Sequence, residues 1–125
     1  MNQKVETTNA PGAIGPYSQA IVAGDFIYVS GQLPIDPKTG AFSGDSIESQ
    51  TTQSLQNIKA ILEEAGFAMS DVVKSTVLLA DIADFAPMNT VYATFFTGVC
   101  PARAAFAVKD LPKAALVEIE VVAHK

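Results

Sequence analysis

"ALVEIEVVA", residues 115 to 123, decides what kind of fold this chain can build. Side chains along a strand alternate between two faces, so Val117, Ile119 and Val121 point one way and Leu116, Glu118, Glu120 and Val122 the other. The stretch reads as a strand with one aliphatic face and one face carrying two carboxylates. Working outward, "SQAIVA" (18–23) and "FIYVSG" (26–31) are two β-rich runs separated by Gly24-Asp25, a two-residue turn with glycine first, and together they predict a hairpin. "DVVKSTVLLA" (71–80) is rich in β-branched residues and too evenly apolar for a surface helix, which makes it a central strand, and "RAAFAV" (103–108) is a further strand.

Two segments change period. From about Ser46 to Ala65, Leu55, Ile58, Ile61, Leu62 and Ala65 form one stripe at helical spacing; Gly66 supplies the stop, and Asp45 and Glu48 have the spacing of a capping box. A second helix carries Phe85, Met88, Val91, Tyr92, Phe95, Phe96 and Val99 on one face. Pro87 fixes its start, because a proline is harmless only in the first turn, and Asp84 is then the N-cap. Strands, helix, strand, helix, strands is the order of an α+β layer pair, a mixed sheet with two helices packed on one face.

The other face of that sheet is then the question. Phe26 and Tyr28 oppose Ile27 and Val29, so this strand is apolar on both sides, and no third helix remains to cover the second side. Self-association is the simplest cover; a solvated, imperfectly polar face is the alternative.

A chain of 125 residues with 49% hydrophobic content has the size of one domain, residues 1–125. Its formal charge of −5 and the absence of a basic run argue against nucleic acid as a partner. One cysteine makes no internal disulfide, the N-terminal residues lack the order of a signal peptide, and no apolar run approaches the ~20 residues that span a bilayer. The expectation is a cytoplasmic protein without membrane contact. With a single histidine, His124, and Cys100 remote from it in the pattern, no metal-ligand set is expected; His124 reads as a frayed terminal residue and Cys100 as a small hydrophobe before a proline.

Arg103 stands out, sharing a strand face with Ala105 and Ala107 and lacking a nearby carboxylate before Asp110. A buried arginine cannot shed its proton, so something anionic has to meet it: either Glu118 or Glu120 on a neighbouring strand, as a structural ion pair, or the carboxylate of a ligand, with one glutamate left as base or water holder. Tyr17, after Gly15-Pro16, fits a core residue or a pocket lid; Ser30-Gly31 fits a turn or a close backbone approach to a ligand; Asn89 fits a helix-surface hydrogen bond.

"GPYSQ", "SGQLPIDPKTG", "DFAPMNTVYATFF" and above all "PARAAFAVKDLPKAALVEIE" resemble the Rid proteins, the reactive intermediate deaminases of the YjgF family, from about Ala10 to Val122 and most closely the RidA subfamily. The resemblance implies a chorismate-mutase-like α+β fold, a homotrimer with an active site in each cleft between adjacent subunits, and cofactor-independent hydrolysis of 2-imino acids such as 2-iminopropanoate and 2-iminobutanoate, products of pyridoxal-phosphate enzymes, to 2-keto acids and ammonia. It assigns Arg103 to the substrate carboxylate, Glu120 to the attacking water, and Tyr17, Ser30, Gly31 and Asn89 to the cleft lining. Many members carry a cysteine two residues after the arginine; Ala105 stands there in this chain, which makes a covalent thiol mechanism hard to sustain. A ligand-binding or regulatory module that uses the same cleft without turnover is the alternative reading.

Overall fold

The computed structural model describes all 125 residues. Six strands, β1 (Gln3–Val5), β2 (Ala20–Ala23), β3 (Phe26–Gln32), β4 (Val72–Leu79), β5 (Ala102–Ala107) and β6 (Val117–His124), form one sheet in the order β1-β2-β3-β6-β4-β5. Helix α1 (Ile47–Glu64) connects β3 to β4, and α2 (Phe85–Phe95) connects β4 to β5. The β4–β5 pair is parallel and the other pairs are antiparallel. Both helical crossovers step in the same direction across the sheet, and since such crossovers share one hand, both helices land on the same face. β6 then returns into the gap between β3 and β4.

Alternation along β6 puts Val117, Ile119, Val121 and Ala123 in the core, where they meet the stripe Leu55, Ile58, Ile61 and Leu62 of α1. Each such aliphatic side chain contributes about 1.5–3 kcal/mol through burial. The β2–β3 hairpin turns at Gly24-Asp25 as expected, with Gly24 at φ +61°, the positive dihedral that a first-position glycine supplies. Beyond α1, Gly66 at φ +82° ends the helix. No helix is long and apolar enough to cross a membrane.

Several local expectations are corrected. Ser46, not Asp45, caps α1: its Oγ accepts from the Ser49 backbone N–H at 3.0 Å, one register later than the Asp45/Glu48 box. Asp84 does precede α2, but its side chain makes no capping bond; Asp81 accepts from the Ala83 N–H at 2.9 Å and caps a short 3-10 turn, Ile82–Asp84, that leads into the helix. Val99 lies beyond the helix and is exposed. His124 is the last residue of β6 rather than a frayed end, its ring 4.7 Å from that of Phe26. Cys100 is exposed. β1 gave no periodic signal, being three residues long.

The face away from the helices has no cover within the chain. It presents Phe26 (39% exposed), Tyr28 (50%) and Phe106 (47%), together with Leu78, Val122 and the two glutamates of β6.

Candidate active site

Arg103 lies on β5, an edge strand, opposite Ser75 of β4 and on the helix side of the sheet. Its Nη1 donates to Asn89 Oδ1 at 2.6 Å. Its guanidinium carbon stands 4.8 Å from the ring centre of Tyr92 and 5.4 Å from that of Phe85. Phe85, Asn89 and Tyr92 are four and three residues apart, so one stripe of α2 faces the arginine. The guanidinium is exposed and meets no carboxylate; the only ion pair in the chain joins Lys4 to Glu6 at 2.8 Å. Both premises of the internal-pair reading therefore fail: Arg103 is not buried, and Glu118 and Glu120 point to the opposite face of the sheet, across β4.

A second group gathers where β3 meets β6. Ser30 and Gly31 stand just before the last residue of β3, at an irregularity between Val29 and Gln32, and make no turn. Gly31 is glycine because Glu118 lies on it. A Cβ added there would collide with Glu118 Oε2 and stand 3.0 Å from its Cδ. Burial pushes the Glu118 carboxyl above the usual carboxylate range, and the charge of Glu120 two residues on adds to the shift. Glu120 itself is exposed. Ser30 Oγ donates to the Ser18 carbonyl at 2.6 Å, tying the segment that carries Tyr17 to β3.

Tyr17 is a pocket residue, not a core one. With Ile14, Gly31, Leu33, Ile35 and Lys113 it lines a cavity of about 340 Å3. Two buried amides fix the walls of that cavity: Gln19 Nε2 donates to the Pro11 carbonyl at 2.7 Å, and Asn57 Nδ2 to the Ile35 carbonyl at 2.9 Å. A larger depression of about 620 Å3 runs beside Lys4, Glu6 and residues 7–9 and shares only Gly12, Tyr17 and Gln19 with the smaller one. None of the main cavities reaches Arg103, Asn89, Glu118 or Glu120.

One chain thus holds the candidate residues in two separate groups. Arg103 and Asn89 are together on the helix side of the β5 edge, while Tyr17, Ser30 and Gly31 sit with Glu118 near the far end of β3, and Glu120 stands on the open face between them. An anion fork and a pair of carboxylates are the chemistry on offer, and no three His, Cys, Asp or Glu side chains stand close enough to hold a metal ion. Sequence reasoning placed Phe85 and Tyr92 in the helix core and missed that they face the arginine. Their four-and-three spacing with Asn89 was the available signal. Gln19 and Asn57 were missed too, although an amide on the apolar stripe of α1 is conspicuous.

A six-stranded mixed sheet with two helices on one face is the fold of the solved YjgF-type proteins, and the YjgF protein of E. coli superposes with a TM-score of 0.95 at 44% identity, covering 98% of both chains. The Endoribonuclease L-PSP family model matches residues 7–125. A RutC family protein of Pyrococcus horikoshii is 55% identical over 125 residues, covering 100% of this chain and 99% of that protein. The 2-iminobutanoate/2-iminopropanoate deaminase of Salmonella typhimurium is 47% identical, covering 98% of each chain. The crystal structure of the Rid family protein YyfA from Yersinia pestis superposes with a TM-score of 0.97 at 47% identity, covering 100% of both chains. The chain belongs to this family, the Rid proteins, and fits its RidA subfamily.

Proposed function

We propose that this protein is a 2-imino acid deaminase that works as a homotrimer, with sites shared between subunits. The observation that carries the reading is Arg103: an exposed guanidinium, held by Asn89 and the α2 aromatics, with no carboxylate of its own chain to meet. A planar fork of this kind suits a planar carboxylate, and a charge-assisted contact of that type is worth about 1.5–3 kcal/mol. Because Arg103 and Glu120 occupy opposite faces of one sheet, a site that uses both draws Arg103 from one subunit and Glu120 from its neighbour. The uncovered apolar face is the surface such an assembly buries.

The substrate carboxylate docks on Arg103, which sets the C=N carbon beside a water held by Glu120. As the water oxygen bonds that carbon, Glu120 takes a water proton and the C=N π pair moves to nitrogen. That proton passes to nitrogen to give the carbinolamine; the remaining O–H proton is then carried to nitrogen through Glu120, the C–N bond breaks with its electron pair on nitrogen, ammonia leaves and C=O forms. Positioned general-base help contributes about 10² to 10⁴ in rate, enough for an electrophile that already hydrolyses in water. Tyr17, Ser30 and Gly31 line the cleft from the Glu120 side. With Ala105 beside the arginine, the route needs no thiol, and it needs no cofactor.

The test is ammonia release from freshly generated 2-iminopropanoate with the purified protein. Release well above the spontaneous rate supports the deaminase. Binding of pyruvate without accelerated release would make it a sensor of small carboxylates instead.

A further inference from the structure

Ser75 is the only hydroxyl on the helix-facing side of β4, whose other residues there include Val77 and Leu79. A hydroxyl in a core is tolerated when it is hydrogen-bonded, and Ser75 Oγ is paired with Tyr92 Oη at 2.6 Å. Ser75 is also the residue directly opposite Arg103 across the β4–β5 ladder. The buried bond therefore lies beneath the point where the arginine side chain leaves its strand. The Phe96 ring packs against Tyr92 at 4.6 Å between centres, so the tyrosine is fixed at its hydroxyl and along its ring. Burial pushes the phenol pKa up, against the smaller opposing effects of the Ser75 bond and the Arg103 charge.

We infer that Tyr92, pinned by Ser75, is a positioning residue: its ring holds the Arg103 guanidinium on the Phe85–Asn89–Tyr92 stripe, leaving the edge away from Asn89 to take a monocarboxylate. The inference rests on the deaminase reading for its ligand, but not for the ordering of the arginine. Nη1 already donates to Asn89, so the Nε and Nη2 hydrogens form the pair of parallel donors left free for a planar, two-oxygen acceptor. An arginine ordered before binding loses less rotamer freedom when the carboxylate arrives, which appears as affinity. A phenylalanine at position 92 would supply the same ring face without the anchor. The hydroxyl and Ser75 together explain why the pair is polar in an apolar layer.

The experiment compares wild type with Tyr92→Leu, which removes the ring, and with Ser75→Ala/Tyr92→Phe, which removes both polar partners while keeping shape and so keeps the fold. Three quantities are read: the NMR order parameter of the Arg103 Nε–Hε group, the dissociation constant of pyruvate, and the melting temperature. The double variant is expected to melt like wild type, with Arg103 less ordered and pyruvate bound about three- to tenfold more weakly, and Tyr92→Leu to weaken binding at least as much. A merely structural Tyr92 would shift melting alone. An unchanged order parameter and unchanged pyruvate affinity in the folded double variant would overturn the inference. If wild type neither binds pyruvate nor hydrolyses the imine, the deaminase reading fails, and the order parameter alone still decides whether Tyr92 positions Arg103.

Discussion

The role proposed for Arg103 rests on what the side chain lacks. A guanidinium with a carboxylate partner in its own chain would be a structural cross-link, whereas this one makes a single side-chain hydrogen bond, to Asn89, and two aromatic contacts. Arg103→Lys keeps the charge and loses the fork, so kcat/KM for imine hydrolysis should fall about tenfold to a hundredfold, and Arg103→Ala further. Melting should move little in either variant, since no buried carboxylate is stranded; a large drop would return the arginine to a structural role. Glu118 makes a different prediction, one about pH. Its folded-state pKa is raised, so the native chain holds a proton that the unfolded chain has already released, and stability declines as pH rises from the ordinary carboxylate range through the folded value. Glu118→Gln removes that penalty. The variant should melt higher than wild type at pH 7–8, with the difference closing below about pH 4, where both states are protonated; a difference independent of pH would contradict the burial account.

At the scale of elements, what the sequence disclosed was whatever period could carry. Both helices, the hairpin and the strands over 71–80, 103–108 and 115–123 follow from alternation and stripes, and the two faces of β6 were legible residue by residue. Competing local chemistry was not. Asp45, Ser46 and Glu48, Ser49 offer two capping registers one residue apart, and only packing decides for Ser46; Asp81 and Asp84 offer two starts, and the chain uses the first to cap a 3-10 turn. The residues assigned by resemblance stand in separate groups within one chain, and the sequence could not disclose that separation, because which sheet face each strand shows its neighbour is a matter of long-range register. Gly31 shows the limit well: its reason is a carboxylate on β6, invisible in "SGQ". Gly31→Ala should destabilise by about 1–3 kcal/mol through collision with Glu118, and Gly31→Ala/Glu118→Ala should recover most of that loss. Chemical denaturation of the four proteins measures it; additive losses would mean that the two side chains do not share that space.

For the whole molecule, the question is what covers the face that carries Phe26, Tyr28 and Phe106. A second copy is the partner that, in the proposed reading, would also complete the chemistry, since it would bring a Glu120 to an Arg103 whose own chain carries Glu120 on the opposite face. Sedimentation equilibrium should return three times the 13.1 kDa chain mass at micromolar concentration; a monomer would leave the apolar face and the divided site unexplained together. The most direct test of the divided site is complementation. Arg103→Ala and Glu120→Gln proteins are each expected to be folded and nearly inactive. When equal amounts are unfolded, mixed and reassembled, about a quarter of the sites should combine an intact arginine with an intact glutamate from the neighbouring subunit, and ammonia release should return to about a quarter of the wild-type rate. Mixed assemblies, verified by mass, that stay as inactive as their parents would contradict a site shared between Arg103 of one chain and Glu120 of the next.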